Sequence, residues 1–195
     1  MPVDVKYLRV VGNHIYARGT DDTDNVFVNT VGDFYLTGSQ SDVPPSGTPS
    51  GGTQADLVAW CVARIGKFAY CNGCGDAARL NPDVSLTTDC SGLVYRAYLD
   101  VTGLNIGTWT GNQYYVGTEV TSGSGTIDES LLVNGDLVFY DWADNGFTTT
   151  FDHVEMYMGS NKTIGHGGNP YMGPVEKSLS ANIAYALRYR VQRYI

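Results

Sequence analysis

The chain has 195 residues, 43% of them apolar and 12% aromatic, which is enough to fold around one substantial core. Its net charge is −8 with only 12 lysines and arginines, so it lacks the clustered cations that a phosphate backbone requires, and nucleic acid is not expected as a partner. No apolar run is long enough to cross a bilayer, and Met1-Pro2-Val3-Asp4-Val5-Lys6 lacks the basic-then-apolar order of a secretory signal. The expectation is a protein released by another route, or a piece of a longer chain.

Residues 6–11 and 13–17 alternate around Gly12-Asn13, a two-residue hairpin turn, and strand-like runs follow at 25–29 and 31–36. This is a small β-meander over 1–43, which either binds a target or extends the main sheet. Residues 44–52, rich in Pro, Gly and Ser, read as a linker.

Thr53-Gln54-Ala55-Asp56 opens a helix, with Thr53 as N-cap and Asp56 in the first turn. Its buried stripe is expected at 57, 58, 60, 61 and 65, and Gly66 ends it. A Gly- and Asn-rich loop from Cys71 to Val84 follows. Four cysteines are too few for a disulfide scaffold in a chain of this length. Cys71-Asn72-Gly73-Cys74 has the spacing of half a zinc site or of a redox pair, but no second pair or βαβ setting accompanies it. Loop thiols, joined as a local disulfide, are the simpler reading. No metal or cofactor is expected.

In Thr87-Thr88-Asp89-Cys90-Ser91-Gly92-Leu93 a cysteine stands directly before a helical pattern, with apolar or aromatic residues at 93, 94, 97, 98 and 101 and a stop at Gly103. Unpaired N–H groups and the helix dipole at that end favour negative charge. Cys90 is therefore either a small buried apolar residue or a thiol whose pKa is lowered below about 8.5. Position alone leaves both open. The irregular aromatic stretch 106–115 follows, with Trp109, Tyr114 and Tyr115 as candidate walls of a cleft.

From there the pattern is β. Asn134-Gly135-Asp136 turns into Leu137-Val138-Phe139-Tyr140, and His153-Val154-Glu155-Met156-Tyr157-Met158 alternates cleanly. A hairpin closed over Gly159-Ser160-Asn161-Lys162 sets position 166 opposite 155, bringing His166 to the face of His153; a slip of one residue reverses this. The tail Arg188-Tyr189-Arg190-Val191-Gln192-Arg193-Tyr194 reads as a solvated edge strand with one basic face. Cys90, His153 and His166 then supply a thiol, a base and an orienting group, the set that acyl transfer by cysteine requires.

Together these segments resemble the NlpC-type cell-wall cysteine peptidases over about residues 53–195. Asp89-Cys90-Ser91-Gly92-Leu93 is similar to the family's nucleophile motif, and His153 through Gly159 to its histidine strand. Asn161 through His166 is similar to the segment carrying the third polar residue, Asn134 through Tyr140 to the Gly-Asp-Leu strand, and Thr108 through Gln113 to the segment before it. Tyr70 matches the family tyrosine near the substrate carbonyl, although Cys71-Asn72-Gly73-Cys74-Gly75 replaces the usual residues after it.

The resemblance implies an α+β, papain-like domain over 53–195, helices first and antiparallel sheet second. It implies an endopeptidase acting on bacterial peptidoglycan, as a monomer or part of a larger assembly, with Cys90, His153 and His166 catalytic. Substrate-binding residues are expected at Tyr70, Asp89, Ser91, Trp109, Gln113, Tyr114 and Glu155, with Asp89 and Glu155 holding a cationic group. A bacteriophage lysin or tail-associated hydrolase is the expected setting. The alternatives are an amidase or acyltransferase of similar Cys-His chemistry, and a non-catalytic wall-binding module.

Overall fold

The computed structural model describes the backbone of residues 5–11, 14–19 and 26–28, and residues 51–71, 74–142, 151–167 and 173–195 with their side chains. The chain divides into two compact units, Met1–Val43 and Pro44–Ile195. In the first, Val5–Val11 (β1) pairs antiparallel with His14–Gly19 (β2), which pairs in turn with Val26–Val28 (β3). Val11 stands opposite His14, and the turn expected at Gly12-Asn13 lies outside the described residues. The strand expected at 31–36 and residues 44–50 of the linker lie outside the described residues.

The second unit opens with Gln54–Val62 (α1). A capping box starts it: Asp56 N–H donates to Thr53 Oγ1, and Thr53 N–H donates to the Asp56 carboxylate at 2.8 Å. The helix stops four residues before Gly66, and Ile65 is exposed rather than part of the stripe that buries Leu57 and Cys61. Ala69–Tyr70 (β4) then pairs in parallel with Thr87–Thr88 (β5). The expected loop between them holds two single-turn helices, Asp76–Arg79 (α2) and Pro82–Ser85 (α3).

Cys90–Thr102 (α4) has Asp89 as N-cap and Gly103 as a left-handed C-cap at φ 74°, the boundaries its spacing predicts. Thr110–Gln113 (α5) is a short turn of helix within the aromatic stretch. Six strands complete the unit: Thr118–Gly123 (β6), Leu137–Asp141 (β7), His153–Gly159 (β8), Lys162–Gly165 (β9), Val175–Ser178 (β10) and Arg188–Arg193 (β11). They form one antiparallel sheet in the order β10-β9-β8-β7-β11-β6, with Leu179–Tyr185 (α6) between the last two strands in sequence.

The sheet is covered on both faces, which is why β7 reads as an unbroken apolar run rather than an alternation. Leu137, Phe139, Val154 and Met156 pack with Leu57, Val94, Ala97 and Tyr98 of α1 and α4. Val138, Tyr140 and Tyr157 pack on the other side with Leu179 and Ile183 of α6. Each such side chain contributes about 1.5–3 kcal/mol when fully buried.

Two expectations are corrected. β11 is an interior strand, between β7 and β6, not a solvated edge. Its arginines are tolerated there because each meets a carboxylate: Arg188 with Asp141, Arg190 with Glu119 and Arg193 with Asp136. The β8–β9 hairpin closes with Gly159 opposite Lys162 as expected, but an irregularity between Tyr157 and Gly159 shifts the ladder, pairing Tyr157 with Thr163 and Met156 with Ile164. Continued one step, that register sets Gly165, not His166, beside Glu155.

Candidate active site

Three elements converge on Cys90. The N-cap of α4 is built by Asp89, whose Oδ1 accepts from Gly92 N–H at 2.6 Å and from Ser91 Oγ at 2.9 Å. That leaves the first-turn N–H groups beside the thiol without helical partners. The β4–β5 pair places Tyr70 opposite Thr88, two residues before the cysteine. Burial, the Cys90 charge and the Asp89 charge together push the Tyr70 phenol above its ordinary value.

His153 begins β8. The Cys90 side chain is close enough to raise the pKa of the His153 ring, and the ring's Nε2 lies 2.9 Å from Glu155 Oε1. Burial works against a charged imidazole here, but the hydrogen bonds and negative charges of Cys90 and Glu155 outweigh it and push the pKa up to about 9. Glu155 shows the mirror effect: burial raises its pKa, while the His153 hydrogen bond and the charges of His153 and Lys177 take it down to about 2. An ionised carboxylate only accepts, so Nε2 carries a proton and Nδ1 is the nitrogen left for the thiol. The indole of Trp142 covers the imidazole, with ring centroids 4.5 Å apart.

Glu155 is 0% exposed, and four donors fill its oxygens. Oε1 takes His153 and Lys177 Nζ at 2.7 Å, and Oε2 takes Thr163 Oγ1 at 2.6 Å and Asn182 Nδ2 at 2.7 Å. Desolvating a carboxylate costs several kcal/mol, and such a set of charged and neutral donors offsets it.

The remaining expected residues separate into two groups. Tyr70, Asp89 and Ser91 sit at the start of α4, and Trp109 is 49% exposed next to Thr108, whose carbonyl accepts from Arg79 at 2.6 Å. Gln113 is fully buried and donates to the Ser91 and Gly107 carbonyls, both at 2.9 Å, so it braces the helix start from inside. Tyr114 belongs to the core against Phe139 and Phe151, and is not a wall of a cleft. The carboxylates of Asp89 and Glu155 are each already matched by a cation of the chain, Arg79 and Lys177. His166 follows the end of β9 with its ring edge-on to Tyr70, centroids 5.2 Å apart. Burial lowers its pKa against the opposing effect of the Ala69 and Phe68 backbone, and its Nε2 is buried with no hydrogen-bond partner among the described residues.

Sequence reasoning missed Trp142, Lys177, Asn182, Thr163 and Arg79. Lys177 and Asn182 arrive from β10 and α6, elements with no motif of their own. Cys71 and Cys74 are joined by a disulfide, and Cys61 is buried in α1, its thiol pushed up to about 12 by burial. Among the described residues no group of three or more His, Cys, Asp or Glu side chains could hold a metal, and no helix is long and apolar enough to cross a membrane.

The NlpC/P60 family model matches residues 70–182, more than half of the chain. The chain belongs to the NlpC/P60 family. A curated relative is the murein DD-endopeptidase MepH of Escherichia coli (strain K12), 40% identical over 76 residues, covering 39% of this chain and 25% of that protein. The chain thus matches about a quarter of the length of that relative. Among solved structures, NlpC2 from Trichomonas vaginalis superposes with a TM-score of 0.54 at 19% identity, covering 93% of this chain and 57% of that one. An NlpC/P60 family protein from Bacillus cereus gives a TM-score of 0.53 at 18% identity, covering 97% and 53%. These likenesses are of fold: the NlpC/P60 papain-like α+β arrangement, helices first and antiparallel sheet second, is the one the sequence resemblance implied.

Proposed function

We propose that this chain hydrolyses an amide bond within the stem or cross-bridge peptide of bacterial peptidoglycan. The supporting observation is the imidazole of His153, held between the Cys90 thiol at a helix start and a buried, ionised Glu155. The Cys90 thiolate attacks the scissile carbonyl and its sulfur bonds to carbon. The resulting oxyanion is stabilised by first-turn amides of α4 with the Tyr70 hydroxyl beside them. Collapse breaks the C–N bond as Nδ1 of His153 gives its proton to the leaving amine. Water then attacks the thioester, His153 takes the water proton, and the acid leaves as the thiol group is restored.

The substrate groove is expected along Tyr70, Asp89, Ser91 and Trp109. Because Arg79 and Lys177 already satisfy Asp89 and Glu155, specificity for a cationic group would have to come from elsewhere. The two other readings are cleavage of the sugar-to-alanine amide and wall binding without catalysis. A binder has no use for a thiol, an imidazole and a buried carboxylate brought together at Cys90, His153 and Glu155.

The test is digestion of purified peptidoglycan followed by mass analysis of the muropeptides, with Cys90→Ala as the control. New peptide amino termini with the lactyl-alanine linkage intact are expected, and none from Cys90→Ala. Stem peptides released whole from the glycan identify an amidase instead, and equal lysis by Cys90→Ala removes the thiol mechanism.

A further inference from the structure

We infer that the group orienting His153 is Glu155, two residues along the same strand, rather than a residue delivered by β9. This deepens the thiol-hydrolase reading and rests on it. The hairpin partner was expected to place the side chain of His166 on the imidazole. The register shift between Tyr157 and Gly159 removes that possibility by turning position 165 toward Glu155. At 165 the chain has glycine: a Cβ there would lie 2.6 Å from Glu155 Cγ and 3.3 Å from its Cδ. The space a β9 side chain would occupy is filled by the Glu155 side chain, and only a residue without Cβ leaves room for it.

The rest of the neighbourhood fits that exchange. Lys177, Thr163 and Asn182 hold the carboxylate charged and fixed from β10, β9 and α6, leaving one of its four acceptor sites for Nε2 of the imidazole. His166, one residue past the end of the ladder, packs against Tyr70 instead. A carboxylate on Nε2–H keeps Nδ1 as the nitrogen facing sulfur and favours the imidazolium that forms with the thiolate, as the aspartate does in serine triads. Glu155 is thus a positioning residue acting through His153. Among the described residues, the ionisable groups around that ring are Cys90 from α4, Glu155 on its own strand, Lys177 from β10 and Tyr140 from β7.

The experiment follows two readouts across pH: kcat and KM on a soluble muropeptide, and the rate of alkylation by iodoacetamide, which needs no substrate. Cys90 is the thiol it reports, because Cys61 is fully buried and the other two cysteines are paired. Glu155→Gln is expected to lower kcat about 10²- to 10⁴-fold with little change in KM. It should also move the alkaline limb of both profiles down by roughly 1–3 pH units as the imidazolium loses its carboxylate. His166→Ala should leave that limb where it is in the wild type. In the swap Glu155→Ala/Gly165→Glu, a carboxylate from β9 should recover at least tenfold of the activity lost in Glu155→Ala. A Glu155→Gln enzyme whose alkaline limb stays in place overturns the inference, whether kcat falls or not, and so does a limb that moves in His166→Ala alone. A wild type that cleaves no muropeptide defeats the hydrolase reading, while the alkylation profiles still decide the role of Glu155.

Discussion

The indole of Trp142 lies over the imidazole of His153, planes 23° apart and centroids 4.5 Å apart, so the ring that carries the proton is packed on one face as well as hydrogen-bonded at its edges. An electron-rich face against an imidazolium is worth roughly 0.5–2 kcal/mol. Trp142→Ala should therefore lower the His153 pKa and cost on the order of tenfold in kcat, and Trp142→Phe should restore most of it. NMR titration of the His153 ring checks the first point. An unshifted titration in Trp142→Ala would mean that the stack only packs.

The pH dependence of stability has a definite sign on each side. Burial opposes the charge on His153, yet Cys90 and Glu155 raise its pKa from 6.5 to about 9. Its contribution is therefore complete below 6.5 and is lost as pH rises through 9. Burial likewise opposes Glu155, but His153 and Lys177 lower it from 4.5 to about 2, so its contribution is complete above 4.5 and is lost as pH falls through 2. Urea unfolding midpoints should be highest between roughly pH 4.5 and 6.5 and decline on both sides. In Cys90→Ala the alkaline decline should be smaller and level off at lower pH, because one of the groups raising His153 in the folded state is gone. An identical alkaline decline in that variant would show that the thiol does not act on the imidazole.

Much of this site was legible because its chemistry travels in short local patterns. Asp89 and Gly103 bound α4 through backbone requirements that act within one turn, and the period of β8 announced His153 and Glu155 together. What could not be read was long-range. The one-residue shift at the β8–β9 hairpin comes from an irregularity with no composition signature, and it decides whether position 165 or 166 meets Glu155. The place of β11 inside the sheet depends on pairing with β7 and β6, far away in sequence, and its arginines looked solvated because their carboxylates are on those strands or just before them.

Asp136, at the turn into β7, is one such partner. It is almost fully buried, accepts from Arg193 Nε at 2.8 Å and Nη2 at 2.7 Å, and also accepts from Val133 N–H at 2.9 Å. Arg193→Met leaves a buried carboxylate short of its charge partner and should cost about 2–4 kcal/mol. A thermal melt should show a fall on the order of 5–10 °C. Asp136→Asn in the same background should recover part of it, since the stranded charge is then removed. Additive losses in the double variant would rule out the pairing as the cause.

The two units make a separate prediction. Met1–Val43 carries its own three-stranded pairing, and both described cores lie within Pro44–Ile195. A chain beginning at Pro44 should fold with a single cooperative transition and cleave small soluble muropeptides within about threefold of the full chain. Its loss should show in lysis of intact walls. An insoluble or non-cooperative product would mean that the first unit is needed for the second to fold.

Arg79 ties the loop after Tyr70 to the nucleophile. It stands at the end of α2, side chain nearly buried, and its guanidinium divides its donors between two sides. Nε reaches Asp76 at 2.9 Å, while Nη1 reaches the Thr108 carbonyl at 2.6 Å, Asp89 Oδ2 at 3.3 Å and Ser91 Oγ at 3.3 Å. One planar fork thus fixes the N-cap of α4, the residue after Cys90 and the start of the Trp109 segment. An ammonium on a flexible stem offers a point charge in place of that fork, so Arg79→Lys should recover only part of the function. Arg79→Met should destabilise the domain by roughly 2–4 kcal/mol, because it strands the partly buried Asp89 carboxylate. Cys90 alkylation should slow as well, since the amides and charges around the thiol lose their fixed geometry. Melting temperature and alkylation rate are to be measured together across wild type, Lys and Met. If stability falls while alkylation keeps its wild-type rate, Arg79 serves the loop alone and the start of α4 holds its shape without it.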